Sequence, residues 1–296
     1  MHKFLTFLYK FIKFSGKAFR FIFRYIVKDP IFVFKYFVAY FQKDYTPQVK
    51  FYTTEEFMTE IRSGKSFIRI GDGEIGLLHH RDIHYQKAVP LLISKVKEII
   101  VNYKQDSQYI LSMPIFVSTS NKDLQYTKGK LSCWLPLKVE FFRRFNRDAK
   151  YFDAHAFYRK GFFESHMYEY LKDKKLIINT TAENIKNQKE NIESRFEVLE
   201  WIEAKPAEAF DLYQETKERI QKVIGREMGV SIIETNIQNI SKKEIVKNKK
   251  DIVLILATGP TSKVLSCDFA KLGIQSIDIG KGFEQLYNEV DYEHEI

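Results

Sequence analysis

Asp72 and Glu74 stand one residue apart in Ser66-Phe-Ile-Arg-Ile-Gly-Asp-Gly-Glu-Ile75, directly after an apolar run that reads as a buried strand over residues 66–70. Two carboxylates at that spacing point the same way if the segment stays extended. Paired hard oxygen donors suit Mg²⁺ or Mn²⁺, ions that often share their coordination with substrate phosphates. Gly71 and Gly73 let the chain turn sharply and approach a ligand closely. Arg69, just upstream, offers a fixed positive charge for a phosphate. The competing reading of this segment is a solvated acidic turn, since loops are rich in Gly and Asp.

Two further segments carry similar chemistry. Ala257-Thr-Gly-Pro-Thr-Ser-Lys263 links an apolar run to a helical pattern, and Thr261 or Ser262 can start that helix. The free N–H groups and dipole of a helix start attract an anion, and Lys263 supplies a matching charge. The GxxxxGK[ST] spacing of a phosphate-binding P-loop is missing. Asp278 and Lys281 follow the next apolar run and read either as functional groups or as a capping acid and a surface cation.

The elements that must position these groups alternate along the chain. Thr53-Thr-Glu-Glu56 matches a capping box opening an amphipathic helix to about Gly64. Strands are expected at 66–70, 108–113, 175–180, 195–202, 251–257 and 274–279. Helices are expected at 89–103, 131–145, 162–171, 182–192, from Pro206 to about 224, and at 261–272 before Gly273. Continuous apolar strands alternating with helices imply an α/β fold, a Rossmann-like, mostly parallel sheet with helices on both faces. Ligands collect beyond the carboxyl ends of such strands, which places all three segments at one sheet edge.

The 296 residues hold one large or two small domains, and 45% hydrophobic content is ample for a core. Cys133 and Cys267 form no CxxC or Cys/His cluster, which argues against a zinc site and a disulfide framework and favours a reducing, cytoplasmic compartment. No cleavable signal peptide is evident.

Charge is uneven. Residues 1–50 hold ten Lys or Arg against two acids, whereas the other 246 hold 37 basic and 36 acidic side chains. Lys3, Lys10, Lys17 and Arg24 recur every seven residues, while Phe4, Phe7, Phe11 and Phe14 fall on another helical face. Such a helix suits the plane of an anionic membrane surface, at the inner face of the cell membrane. Asp29-Pro30 breaks it, and the apolar run 31–41 is too short to span. The expected organisation is therefore a basic amphipathic arm over 1–47 and a globular domain over 48–296. A docking helix is the alternative for the arm. Nucleic acid is not expected as a partner, because the aromatics do not interleave with the charges.

Phe67-Ile-Arg-Ile-Gly-Asp-Gly-Glu74, Leu256-Ala-Thr-Gly-Pro-Thr-Ser-Lys-Val-Leu265 and Gly273-Ile-Gln-Ser-Ile-Asp-Ile-Gly280 together resemble the GT-D glycosyltransferases, bacterial enzymes with a DxE motif on a Rossmann-like sheet. The likeness runs from about Thr54 to Asn288 and includes the turn and helix of Ala204–Tyr213. It implies that Asp72 and Glu74 bind Mn²⁺ or Mg²⁺ and the diphosphate of a nucleotide-sugar donor such as a UDP-sugar. It also implies that Gly71 and Gly73, with Gly259, Thr261 and Lys263, lie beside the nucleotide. Where the family usually has His after the last block, this chain has Lys281-Gly-Phe-Glu284.

Glycosyl transfer requires neutralisation of the departing diphosphate and, in an inverting reaction, a base for the acceptor hydroxyl. Asp278, Asp153 and His155 are the candidate bases, and Arg159 is a candidate phosphate ligand. The expected activity is a metal-dependent hexosyltransferase-type enzyme acting on a glycan or lipid-linked acceptor in surface polysaccharide or glycoprotein biosynthesis. The alternatives are a metal-dependent phosphotransferase or phosphohydrolase, and a non-catalytic membrane-docked nucleotide-binding module.

Overall fold

The computed structural model describes residues 29–83, 86–126, 131–159, 161–229 and 251–286. The strands are β1 Lys50–Phe51, β2 Ser66–Arg69, β3 Tyr109–Met113, β4 Lys150–Asp153, β5 Lys175–Thr181, β6 Glu197–Ala204, β7 Ile252–Leu256 and β8 Gln275–Asp278. The helices are α1 Pro30–Phe41, α2 Thr54–Arg62, α3 Asp72–Leu78, α4 Pro90–Val101, α5 Asn121–Tyr126 and α6 Leu131–Arg144. They continue with α7 Tyr168–Leu171, α8 Ala182–Glu193, α9 Tyr213–Glu227 and α10 Pro260–Lys271.

All eight strands join one sheet in the order β1-β4-β3-β2-β8-β7-β5-β6, and every pairing is parallel. Successive strand residues face opposite sides, so each strand feeds two cores. Ile68, Leu111, Ile177 and Leu254 pack with α1, α4, α6, α9 and α10 on one face. Phe67, Ile110, Ile178 and Val253 pack with α2, α8 and the 163–171 segment on the other. The α/β fold expected from the alternation is therefore present, with helices on both faces.

The Thr53 hydroxyl accepts the Glu56 N–H while the Glu56 carboxylate accepts the Thr53 N–H, so the capping box forms as its residues require. Three elements differ from expectation. Residues 72–78 form a helix rather than an extended turn, because Asp72 and Glu74 both fit a first helical turn. Phe163–Met167 winds as a π-helix before α7. Pro206 opens only a 3₁₀ turn to Glu208, and α9 starts at Tyr213. The short strands β1 and β4 have too few residues for a periodic signal.

The N-terminal arm divides. Its basic heptads lie outside the described residues, but α1, grouped with them by composition, packs against the body. Asp29 caps α1 by accepting the Phe32 N–H at 3.0 Å, with Pro30 at the first helical position. Arg143 clasps the same carboxylate at 2.8 and 2.9 Å. Burial pushes the Asp29 pKa up, but the Phe32 N–H and Arg143 outweigh it and hold the carboxyl below its ordinary value. At the other end, the Asn121 amide donates to the carbonyls of Ala39 and Gln42 at 2.7 and 2.9 Å. Phe32, Val33 and Ala39 are buried in the core between these anchors.

Candidate active site

The chain passes from β2 to β3 and β4 on one side of the sheet, while β5 to β8 fill the other. β2 and β8 therefore meet at the centre, paired through Phe67 and Ile277. A crevice outside the strand ends at such a meeting point is the expected ligand site of an open parallel sheet. The residues after β2, β7 and β8 converge there.

Lys263 is the hub. It lies in the first turn of α10, 4% exposed, and its ammonium sits 2.9 Å from Asp278 Oδ2 and 3.3 Å from Glu74 Oε1. It also donates to the Gly259 carbonyl at 3.1 Å, so the three N–H donors of a lysine all have a partner. Burial pulls the Lys263 pKa down, but Asp278 and Glu74 outweigh it and raise it above its ordinary value. Sequence reasoning directed this charge at a phosphate; the structure directs it at two carboxylates.

Asp72 and Glu74 diverge. On a helix, residues two apart face different ways, so the exposed Asp72 looks outward while Glu74 is buried. Glu74 Oε2 accepts the Gly71 N–H at 2.8 Å, closing the first turn of α3 from within. Gly71 is in extended backbone and Gly73 lies inside that turn.

Asp278 is fully buried. Its Oδ2 also accepts the Arg69 backbone N–H at 3.2 Å, whereas Oδ1 has no hydrogen-bond partner among the described residues. Arg69 ties three strand ends together. Its Nε donates to the Ala154 carbonyl at 2.9 Å, Nη1 to the Ile279 carbonyl at 2.7 Å, and Nη2 to the Tyr158 hydroxyl. The guanidinium also lies over the Tyr158 ring, 4.5 Å from its centroid. Burial lowers the Arg69 pKa, but Tyr158, Asp278 and Glu74 outweigh it and raise the value. Among the described residues three of the five Arg69 donors are engaged in these hydrogen bonds.

The turn before α10 is built from short polar side chains. Ser262 Oγ accepts the Thr258 N–H at 2.8 Å and contacts Thr258 Oγ1 at the same distance. Thr261, also buried, points its hydroxyl toward Gln86 at 3.5 Å. Gly259 adopts φ 62°, ψ −141°, a conformation essentially reserved for glycine.

Gly280, after β8, has φ +48°, and a Cβ there would run into the Arg69 guanidinium. Gly280→Ala is expected to combine a left-handed backbone penalty of about 1–2 kcal/mol with displacement of Arg69. Thermal unfolding and turnover should therefore both fall, and unchanged values for both would show that Arg69 need not hold this position.

The candidates Asp153 and His155 flank Ala154, whose carbonyl accepts from Arg69. Asp153 accepts the Ile115 and His155 N–H groups at 3.3 and 3.1 Å and pairs with Arg159, so it organises the loops after β3 and β4. His155 packs among the rings of Phe116, Trp134 and Tyr158. Lys281 is exposed. Sequence reasoning missed Tyr158, which lies beside the candidates Asp153 and His155 but carries no spacing of its own; Ser262, expected as a possible helix start, instead lies inside α10, whose cap is Gly259.

Glu74 and Asp278 face Lys263 and Arg69, so the buried cluster is balanced in charge, and Asp72 adds one exposed carboxylate at the start of α3. The exposed Asp72 carboxylate and the orphaned Asp278 oxygen are hard oxygen donors of the kind a divalent cation takes, but they do not gather into a set of three close ligand atoms among the described residues. Elsewhere among the described residues, Asp29, His79 and Glu140 bring ligand atoms within 4.8 Å of one another. Arg143 and Arg144 already pair with the carboxylates of that group, so a cation there would have to displace them.

A family model described as glycosyltransferase GT-D fold matches residues 67–293. Three solved structures share the architecture. One is titled "The highly conserved domain of unknown function 1792 has a distinct glycosyltransferase fold", with TM-score 0.61, 20% identity and 81% of each chain covered. A selenomethionine-substituted domain of unknown function 1792 gives TM-score 0.61 and 20% identity over 79% of each chain. "A New Glycosyltransferase (DUF1792) from Streptococcus sanguinis" gives 0.58 and 17%, over 82% of this chain and 87% of that one. No curated protein matches the sequence.

Proposed function

This chain belongs to the glycosyltransferase GT-D fold family, and from that premise we propose that it transfers a sugar from a nucleotide-diphosphate donor, a UDP-sugar by preference, to a hydroxyl of a glycan or lipid-linked acceptor. The observation that carries this reading is the meeting of the β2, β7 and β8 ends around Lys263, with the exposed Asp72 opening the helix that follows β2.

Asp72 is the residue that would hold Mn²⁺ or Mg²⁺, with Glu74 beside it shaping the turn. The cation, when bound, supplies charge neutralisation for the departing diphosphate. Lys263 acts indirectly: it fixes the carboxylates of Glu74 and Asp278, which in turn set the first turn of α3 and the backbone at Arg69. Asp278 is thereby a positioning residue, since a fully buried, ammonium-paired carboxylate is poorly placed to take a proton from a bound hydroxyl. Arg69, with Gly71, Gly73, Gly259 and Thr261 around the strand ends, is assigned to the donor's phosphates and nucleoside.

The same reading puts the enzyme at the inner face of an anionic cell membrane, in surface polysaccharide or glycoprotein biosynthesis. Its support is the basic, phenylalanine-rich composition of residues 1–28 and the free thiols of Cys133 and Cys267. None of the described helices is long and apolar enough to cross a membrane.

Incubation with a panel of nucleotide sugars and Mn²⁺ should release free nucleoside diphosphate from at least one donor, and chelation should stop it. No release from any donor, or release indifferent to chelation, would overturn the assignment.

A further inference from the structure

The outer face of α1 is apolar where a solvated helix would be polar. Ile31, Phe34, Val38 and Phe41 are 61%, 70%, 42% and 76% exposed. Their spacing of three, four and three residues puts them on one stripe of the helix. The opposite face, Phe32, Val33 and Ala39, is already spent on the core, so α1 is apolar on both sides. A contiguous exposed stripe of this kind marks an interaction surface rather than scattered surface residues.

The sequence leading into α1 indicates what covers the stripe. Residues 1–28 carry seven Lys or Arg and no Asp or Glu, together with nine Phe or Tyr. Lys35 and Lys43 are exposed on and just beyond the helix. A second copy of the same surface would meet these cations with cations. Anionic lipid meets them with opposite charge and offers hydrocarbon to the stripe. We infer that the Ile31/Phe34/Val38/Phe41 stripe of α1 is the membrane-seated face of this protein, inserted into the headgroup boundary of an anionic bilayer. The inference rests on the membrane reading above and assigns it to a fixed element of the catalytic body.

Helix α1 is anchored to the body at both ends, so the stripe is held at one orientation. Asp29, at its start, is held by Arg143, at the end of α6 and shortly before the amino end of β4. Ala39 and Gln42, at its other end, are held by Asn121, which follows the carboxyl end of β3.

Co-sedimentation with vesicles of phosphatidylcholine and phosphatidylglycerol tests this with the full chain. The variant combining Ile31→Ser, Phe34→Ser, Val38→Ser and Phe41→Ser should turn over a soluble donor as the parent does. Its vesicle partitioning in ~1 M salt, where screening shortens charge reach to about 3 Å, should fall by roughly tenfold or more. The single variant Phe34→Trp should keep binding, and brominated lipid should quench its fluorescence beyond the quenching seen for the parent. Parent and quadruple variant binding equally well in high salt would overturn the stripe assignment while leaving membrane association intact. A parent that binds no anionic vesicles would overturn the membrane reading itself. A lipid-free dimer of the parent that the quadruple variant dissolves would assign the stripe to a second copy and overturn the inference.

Discussion

Lys263→Met is expected to destabilise the protein by about 3–5 kcal/mol, the range for removing one partner of a buried ion pair, and to abolish donor turnover. The substitution keeps the length of the side chain but leaves Glu74 and Asp278, both buried, without the ammonium that lies 3.3 and 2.9 Å from them. In a chain of this size the loss corresponds to a fall in Tm on the order of 10 °C. The pH dependence has a definite sign. Lys263 has a raised pKa in the folded state, so its stabilising contribution is fully present below the unfolded lysine value of about 10.4. It is lost only as pH rises through the higher folded value. Across pH 5–9, below that value, the deficit of the variant should therefore be present throughout. Urea unfolding of both proteins across pH 5–9, measured alongside nucleotide release, checks all three points. A variant as stable as the parent at neutral pH would show that the cluster is not held by this ion pair.

Asp72→Asn and Glu74→Gln should both remove metal-dependent turnover, by on the order of 10²–10³-fold, the scale of losing one preorganised charge contact in an active site. They should differ in stability. Asp72 is exposed at the start of α3, where its charge interacts with the helix dipole by only about 0.3–1 kcal/mol, so Asp72→Asn should unfold near the parent temperature. Glu74 is buried against Lys263. Gln keeps an oxygen for the Gly71 N–H but loses the charge pair, so Glu74→Gln should unfold measurably earlier, by about 1–3 kcal/mol. Two acids one residue apart would then separate into an exposed ligand and a buried organiser. Turnover of Asp72→Asn near the parent rate would remove the basis for placing a cation there.

Much of this protein follows from local sequence. The apolar runs of the strands, the Thr53–Glu56 box and the glycines just after α2 and α10 are satisfied within a few residues of themselves, and the corresponding elements stand close to where they were expected. Parallel pairing follows from the βα alternation, and with it the gathering of residues 71–74, 258–263 and 278–281 at one edge. The resemblance carried by those blocks pointed to the family, and residues 67–293 match it.

What the tertiary structure alone decided is the environment of each charge. Whether Lys263 meets a phosphate or a carboxylate depends on Glu74 and Asp278, one of them nearly two hundred positions away and on a different strand end. No spacing rule spans that separation; only the strand order, which sets β2 beside β8, brings the groups together. The direction of Glu74 was likewise hidden, because Gly-Asp-Gly-Glu is compatible with both an extended turn and a helix start, and burial against Lys263 favours the latter. Helix α1 shows the same division in reverse. Composition marked residues 31–41 as membrane-seeking, but an apolar helix can satisfy a core and a surface at once, and which face does which is fixed by packing. Phe32 went into the core and Phe34 stayed out, because the anchors at Asp29 and Asn121 hold the helix at one rotation against α6.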